Sequence, residues 1–244
     1  LVGLKDGMCL KIFINNDFPV ELVNHGASVR CLDMSAFRKK LAVVDENSAV
    51  VVYDVKTKAV LFEGKGANSV AFNSVYEDMF CYAGDGILSI KTADFPVHTQ
   101  NLDGFAVGFN ASKIYCLHNI SMQTVVVPHS WSVKNYIKKG DFDGAYAVAC
   151  LGVTNKDFMN LGLAAHWGMN LEVARKCFIR CRDMKYIDLV ADTEEGLKKG
   201  EPAFMFRALS LAYQSKFHEA AKEYAEGGRA DKAMEMFTEM RMFD

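Results

Sequence analysis

The sequence predicts a chain of the β-then-α class, with sheets in residues 1–130 and antiparallel helices in residues 131–244. Three observations predict this: short β-branched runs before Pro128-His129-Ser130, apolar residues at helical spacing after it, and internal repeats in both parts. The chain has 244 residues, half of them hydrophobic, and a net charge of −2. This composition supports one large or two small buried cores and argues against disorder.

The first part contains eight short runs rich in β-branched and aromatic residues. Turn sequences separate them, among them residues 45–48, Gly84-Asp85-Gly86 and Asn110-Ala111-Ser112. Tight hairpins require such residues, so we expect antiparallel strands. The runs are residues 10–13, 41–44, 50–53, 60–62, 79–82, 87–90, 114–117 and 125–127.

A repeat of nearly 40 residues runs through this part. Leu32-Asp33-Met34-Ser35, Val70-Ala71-Phe72-Asn73 and Val107-Gly108-Phe109-Asn110 follow one another at offsets of 38 and 37. That period with about four strands is typical of a WD-type propeller blade. Tyr53-Asp54 takes the place of the Trp-Asp dipeptide, but the next repeat has Ile90-Lys91 there and no Gly-His precedes either. A β-sandwich or meander with accidental similarity therefore remains an alternative.

Two shorter strings repeat two periods apart. Asp17-Phe18-Pro19-Val20 returns as Asp94-Phe95-Pro96-Val97, and Asp6-Gly7 returns as Asp85-Gly86. About three blades fit into the first part, fewer than the 4 to 8 that close a ring. Because an open series exposes strand edges and an apolar face, we expect the remaining blades upstream of Leu1.

The second part reads as five or more helices packed in pairs. Asp141, Asn155, Asn170 and Asp183 are expected N-caps, and glycines at 140, 152, 200 and 227–228 are expected stops. Small residues recur between large ones, as closely packed helix pairs of the tetratricopeptide type need. Examples are Phe142-x-x-Ala145-x-x-x-Ala149, Leu171-x-x-Ala174-x-x-x-Phe178, Phe217-x-x-Ala220-x-x-x-Tyr224 and Ala230-x-x-Ala233-x-x-x-Phe237. The series reaches Arg241-Met242-Phe243-Asp244 without a polar capping helix, so we expect it to continue beyond Asp244.

Composition also limits the environment. Seven cysteines without a Cys-x-x-Cys pair favour a reducing compartment over a disulfide framework. The two parts carry net charges of −2 and 0, so neither resembles a basic nucleic-acid-binding domain. Apolar runs fall short of the roughly 18 residues that a membrane-spanning helix needs. No targeting peptide precedes the first strand, and Leu1 suggests a piece of a longer protein.

Candidate chemical sites were weighed against structural roles. Gly64-Lys65-Gly66 lacks the order of a phosphate-binding loop and is better explained as a turn between blades. Cys177 and Cys181 share a helix face, and Cys116 and His118 share a strand face, but neither pair has further ligands nearby. We therefore predict no catalytic residues, no cofactor and no metal site.

Two further groups could contact a partner. Arg38-Lys39-Lys40 lies at a strand connection and could touch an acidic lipid or RNA, although a solvated loop explains it as well. Five aromatic residues are expected in the helix core, with an interface role only if one is exposed. These residues are Trp131, Tyr136, Phe142, Phe158 and Trp167.

Longer strings resemble one known family. They are Ser28-Val29-Arg30-Cys31-Leu32-Asp33-Met34-Ser35, Arg38-Lys39-Lys40-Leu41-Ala42-Val43-Val44-Asp45-Glu46-Asn47, Phe95-Pro96-Val97-His98, Ser112-Lys113-Ile114-Tyr115-Cys116-Leu117-His118, Ala149-Cys150-Leu151-Gly152-Val153-Thr154 and Lys216-Phe217-His218-Glu219-Ala220-Ala221-Lys222. Over nearly the whole chain the sequence is similar to the intraflagellar transport protein 122 family, subunits of intraflagellar transport complex A. The match corresponds to the end of the second propeller and the start of the solenoid, without the first propeller or any C-terminal cysteine-rich module.

The resemblance implies a non-enzymatic scaffold in retrograde ciliary transport and in ciliary entry of membrane proteins. Its implied partners are other complex A subunits and membrane-protein cargo or adaptors, and nucleic acid is not among them. The resemblance implies no transmembrane segment but allows a peripheral position close to the membrane. Its implied location is the cilium, at its base and axoneme, and the cytoplasm. The helices from Val133 to Phe243 are expected to dock on another subunit while propeller loops face cargo or membrane. A coatomer-like coat subunit is the alternative; a hydrolase or transferase would need an acid–base motif that the sequence lacks.

Overall fold

The computed structural model divides into two units. The first unit spans Leu1–His129 and consists of four antiparallel sheets that follow one another in chain order. The structure describes residues 1–239, apart from the side chains of Asn16 and Asp17. The strands of sheets 1 and 2 are β1 (Val2–Gly3), β2 (Met8–Phe13), β3 (Asn16–Asn24), β4 (Val29–Met34), β5 (Lys40–Asp45), β6 (Ala49–Asp54) and β7 (Val60–Lys65). Those of sheets 3 and 4 are β8 (Ser69–Phe72), β9 (Met79–Gly84), β10 (Ile87–Thr92), β11 (His98–Asn101), β12 (Phe105–Asn110), β13 (Lys113–His118) and β14 (Ser121–Val126).

The structure has one sheet more than the three blades that the period predicts. The repeated string marks the first strand of sheets 2, 3 and 4, namely β4, β8 and β12. Asp6-Gly7 joins β1 to β2 just as Asp85-Gly86 joins β9 to β10, so sheet 1 corresponds to the later strands of a blade. Within residues 1–239 no strand takes the first position of sheet 1. Since the repeated string marks that position, the repeat did not reveal sheet 1.

Neighbouring sheets pack face to face through aliphatic and aromatic side chains. Cys9, Leu22 and Val23 of sheet 1 bury against Leu41 and Val43 of sheet 2. The opposite face of sheet 2 packs against sheet 3 in a second cluster, in which Phe62 and Phe80 meet edge to face with ring centroids 5.4 Å apart. Because strand residues alternate between faces, nearly every residue of β5 and β6 is buried on one side or the other.

Sheet 4 breaks this pattern on its outer face. On sheet 3, the residues facing away from sheet 2 are fully buried, as Met79, Cys81 and Ala83 show. The corresponding residues of sheet 4 are apolar but exposed by 36–63%. They are Phe105, Val107, Leu117, Met122 and Val126. The four sheets are thus an open series with an uncovered apolar face, as the sequence predicted for an incomplete ring.

Side chains at one repeated position tie each sheet to the next. Ser35 accepts the Lys40 amide at 2.9 Å and donates to the carboxylate of Glu77 in sheet 3. Its counterpart Asn73 donates to the Ala111 carbonyl in sheet 4 at 2.8 Å. These contacts satisfy polar groups at turns and fix neighbouring sheets in register.

The second compact unit begins at Ser130 and contains eight helices within residues 130–239. The predicted end at residues 241–244 lies outside the described residues. The helices are α1 (Ser130–Lys139), α2 (Phe142–Gly152), α3 (Asn155–Trp167), α4 (Leu171–Cys181), α5 (Met184–Lys198), α6 (Ala203–Tyr213), α7 (Phe217–Glu226) and α8 (Ala230–Glu239).

The helix starts follow capping rules with two exceptions to the sequence prediction. Asp141 and Asn170 cap α2 and α4 through their side chains as expected. Asp183 has the N-cap position of α5 but makes no capping hydrogen bond with its side chain. Asn155 was predicted as a cap, but it is the first residue of α3; Thr154 is the cap, in a reciprocal capping box with Asp157. Asp157 also accepts from Ser130 at 2.7 Å, which joins the starts of α1 and α3.

Small buried residues bring the helices together in pairs. Ala145, Ala174 and Ala220 are fully buried on α2, α4 and α7. Each alanine has a buried counterpart 12 positions earlier in the sequence, on the partner helix. These counterparts are Val133, Gly162 and Ala208, respectively. The spacing between pairs is uneven, since Gly162 follows Val133 by 29 positions but Ala208 follows Gly162 by 46. Helix α5 fills the longer interval and is thus an insertion into the paired series.

Gly162 marks a close approach of α3 to α4 and gives a stability prediction. A Cβ at this position would lie 2.7 Å from the Phe178 ring and 3.1 Å from Cβ of Cys177. We expect Gly162→Ala to lower the free energy of unfolding by about 2 kcal/mol, since overpacking outweighs the gain of about 1 kcal/mol in helix propensity. Urea unfolding followed by circular dichroism at 222 nm measures it. Phe178→Leu in the same chain should offset part of the loss, and a Gly162→Ala protein of raised stability would contradict the close contact.

Candidate interaction surfaces

The sequence-predicted candidate sites lie at scattered places in the first unit. Gly64 and Lys65 end β7, and Gly66, with φ of 74°, begins the connection to sheet 3. Cys116 is buried in β13, while His118 ends that strand and is half-buried. Arg38 and Lys39 occupy the β4–β5 turn, and Lys40 begins β5 with its ammonium 2.5 Å from the carboxylate of Asp78. The structure therefore brings none of these groups together.

The cysteine pair of the second unit is also structural in its surroundings. Cys177 is fully buried in α4, and this burial raises the pKa of its thiol to about 12. Cys181 is half-buried, and its thiol faces the Asn155 carbonyl at 3.5 Å. At neutral pH both thiols are protonated, a state that favours packing over metal ligation. The described residues contain no group of three or more acidic, histidine or cysteine side chains arranged to hold a metal ion.

One of the five aromatic residues expected in the core lies at the surface instead. Tyr136 and Phe158 are buried, and Trp131 and Phe142 are half-buried. Trp167, at the end of α3, is 38% exposed. The guanidinium of Arg207 lies 5.5 Å from its ring centroid and donates to the Trp167 carbonyl at 3.2 Å. Tryptophan and arginine are enriched at binding hot spots, so this stacked pair is a candidate interface.

Polar contacts hold the inserted helix α5 in place. His166 of α3 is fully buried, and its Nε2 donates to the Thr193 hydroxyl at 2.9 Å; that hydroxyl donates to the Leu189 carbonyl. Burial lowers the pKa of His166 to about 4, so the ring is neutral at physiological pH. Arg175 of α4 reaches Glu194 at 2.6 Å. The insertion is therefore positioned by specific contacts with both helices of the preceding pair.

A groove of about 560 Å³ opens between α5, α6, α7 and α8. Its lining combines apolar and aromatic side chains, among them Leu209, Tyr213 and Phe217, with charged side chains of α8, namely Lys232, Glu235 and Glu239. The ammonium of Lys185 crosses one end, where it donates to the Tyr213 carbonyl at 2.8 Å and lies 4.9 Å from the ring centroid. Such a groove suits a helix or extended segment with apolar side chains.

A buried polar network between sheets 1 and 2 was missed in the sequence. Nδ1 of His25 lies 2.8 Å from the Tyr53 hydroxyl, and Nε2 lies 3.5 Å from the carboxylate of Asp45. Burial alone would raise the pKa of Asp45, but the Ala49 amide, Asn47 and His25 hold it below its ordinary value. The WD signature places a Gly-His before the first strand. Here the order is His25-Gly26, so the chain lacks the dipeptide in the order that defines the signature.

The network predicts a cost for removing one hydroxyl. Tyr53→Phe leaves Nδ1 of His25 buried without its hydrogen-bond partner. We therefore expect the free energy of unfolding to fall by about 1 to 2 kcal/mol. Native-state hydrogen exchange of the β5 and β6 amides measures it, because both tryptophans lie in the second unit and would not report on the sheets. Tyr115→Phe on the outer face of sheet 4 is the control, and equal effects of the two substitutions would refute the role of the network.

Membrane crossing has no support from the helices. Among the described residues, none of the helices combines the length and apolar character that a bilayer span requires.

Comparison with known proteins places both units in one family. The family model "IFT122 second beta-propeller" matches residues 1–122, and "IFT122, TPR domain" matches residues 129–244. Intraflagellar transport protein 122 homologs of Xenopus tropicalis and Homo sapiens are each 50% identical over 245 residues, and that of Danio rerio is 49% identical. Each comparison covers all of this chain and 20–21% of the relative, so the chain spans about a fifth of their length. The predicted propeller and helical repeats are thereby confirmed, and the chain belongs to the intraflagellar transport protein 122 family.

Proposed function

We propose that this chain is part of a non-enzymatic scaffold subunit of intraflagellar transport complex A. In this role it supports retrograde ciliary transport and ciliary entry of membrane-protein cargo through contacts with other proteins, at the ciliary base and axoneme. The observation that carries the proposal is the identity of about 50% to intraflagellar transport protein 122 homologs along the entire chain. In this proposal the propeller part of the chain is residues 1–130 and the helical part is residues 131–244.

The chemistry of the buried groups supports a structural role. His166 and Cys177 have strongly shifted pKa values, and both side chains are fully buried between helices. Asp45 accepts a hydrogen bond from the Ala49 amide at a turn, and Asp157 accepts one from the Thr154 hydroxyl at the start of α3. Perturbed groups at a catalytic site would face a cleft. Here they fix elements of the fold relative to one another.

The helical unit offers the surfaces that assembly would use. Stacked helix pairs present long surfaces on which many weak contacts add through effective concentration. We place docking to another subunit's solenoid on the Trp167–Arg207 pair and in the groove between α5 and α8, with a helix of the partner as the occupant. The groove matches an amphipathic helix because its lining combines apolar and aromatic side chains with the charged side chains of Lys185, Lys232, Glu235 and Glu239.

Affinity purification from ciliated cells tests this assignment. The complete protein with Trp167→Ala should recover other transport subunits at least tenfold less efficiently than the unchanged protein, since removal of a central tryptophan commonly weakens an interface that much. Ile179→Ala removes a more exposed apolar side chain from α4, outside the groove lining, and is the control. Crosslinks from residues 130–239 to another subunit are also expected. Recovery of a GTPase-dependent vesicle coat instead would favour the coatomer-like alternative.

A further inference from the structure

Two neighbouring turns of sheet 2 form an exposed basic surface, which we call the basic turn pair. It consists of the β4–β5 turn, residues 35–39, and the β6–β7 turn, residues 55–59. Both turns leave the same end of the four-stranded sheet, and the Val55 amide donates to the Lys39 carbonyl at 2.8 Å. Hydrogen bonds fix the backbone of each: the Phe37 amide donates to Glu77 at 2.6 Å, and the Thr57 amide donates to Asp54 at 2.7 Å.

The basic turn pair carries four exposed cations. They are Arg38, Lys39, Lys56 and Lys58. No acidic side chain in the described part of the chain lies within ion-pairing distance of any of them. Of the acids nearby, Asp78 pairs with Lys40, whereas Glu77 and Asp54 keep their charge and accept hydrogen bonds from turn amides. The four exposed cations outnumber these two carboxylates, so the basic turn pair is net positive although the unit as a whole is slightly acidic.

Apolar side chains project from the same end of the sheets. Phe37, whose own amide is fixed by Glu77, precedes Arg38 in the β4–β5 turn and is 68% exposed. Ile14, in the β2–β3 turn, is fully exposed. Ile14 and Arg38 both line one open cavity of about 910 Å³, so these two side chains lie on a shared surface.

We infer that the basic turn pair binds the surface of an anionic lipid bilayer. The four cations would approach headgroup phosphates and carboxylates, and Phe37 and Ile14 would enter the boundary between headgroups and acyl chains. The shape favours this occupant over an acidic peptide or nucleic acid: the apolar residues sit on protruding tips, whereas a peptide needs a groove and nucleic acid needs stacking platforms. The inference does not depend on membership of complex A.

Vesicle flotation of the 244-residue chain tests the inference. We expect the chain to float with vesicles of phosphatidylcholine containing 30 mol% phosphatidylserine and to remain unbound with pure phosphatidylcholine. Lys39→Gln with Lys56→Gln should weaken the partition about 25-fold, since each cation near such a surface contributes about fivefold. These two positions are chosen because they lie outside the left-handed backbone region that Arg38 and Lys58, both with φ of 59°, adopt.

Matched variants separate charge from insertion and from folding. Lys5→Gln with Lys65→Gln removes the same charge from exposed positions at the opposite end of the sheets and should leave flotation unchanged. Phe37→Ser should weaken binding about tenfold without altering its salt dependence. Circular dichroism confirms that each variant is folded. Equal flotation with neutral and anionic vesicles, equal effects of the two lysine pairs, or binding to a polyglutamate peptide without binding to vesicles would each overturn the inference.

Discussion

Replacing Phe178 by alanine is expected to lower the unfolding free energy of the helical unit by about 4 kcal/mol, the largest effect of any single truncation considered. Phe178 is fully buried in α4, its ring stacks on Tyr186 at a centroid distance of 5.0 Å, and it lies against Gly162 of α3. Truncation removes transfer free energy and leaves a cavity between helices that the close backbone contact prevents from collapsing. The midpoint of urea unfolding at 222 nm reports the change.

The adjacent residue is the matched control for this substitution. Ile179 belongs to the same helix but is 55% exposed, so Ile179→Ala removes a large side chain without opening a cavity. We expect its effect to stay within about 0.5 kcal/mol. A Phe178→Ala protein as stable as Ile179→Ala would show that α3 and α4 are not packed as described.

Acidification from pH 6.5 to pH 4 is expected to cost the helical unit about 3 kcal/mol through His166. The folded pKa is about 4, below the ordinary histidine value of about 6.5, so the unfolded chain binds more protons in this interval. The contribution of the neutral ring is therefore complete above pH 6.5 and is lost as pH falls toward 4. Urea unfolding at 222 nm across this range measures the slope.

A non-titrating side chain should remove that slope. Gln at position 166 can still donate to the Thr193 hydroxyl, so His166→Gln should flatten the dependence between pH 6.5 and about 5, above the range in which carboxylates titrate, and leave the stability at pH 7 within about 1 kcal/mol. His218→Gln, at an exposed position of α7, should leave the slope intact. Identical slopes in the His166→Gln and unchanged proteins would mean that another group is responsible.

Local patterns were sufficient to predict the classes of element and the repeats. Alternation and turn residues marked the strands, because each blade buries both faces of a short sheet, and Tyr53-Asp54 does end the third strand of sheet 2. The small residues of the helix repeat are buried at Ala145, Ala174, Ala220 and Ala233, since only a small side chain fits where backbones approach.

The features that were missed depend on contacts distant in sequence. Within the described residues, sheet 1 lacks the strand that carries the repeated string, and His25 meets Tyr53 across 28 positions in an order that the motif does not describe. A usable signal for α3 and α4 was present: Phe158, Leu161, Gly162, Ala174 and Phe178 follow the spacing of the tetratricopeptide pattern. Trp167 could not be placed, because its exposure depends on where Arg207 of α6 lies.

The insertion of α5 has a consequence for recognition. A solenoid of identical repeats offers a partner several equivalent positions, so a bound segment can slip along it by one unit. The change of interval from 29 to 46 positions removes that equivalence, since surfaces before and after α5 are no longer related by one translation. A partner that spans α5 therefore fits the solenoid in a single alignment. The insertion thus fixes the position at which that partner binds.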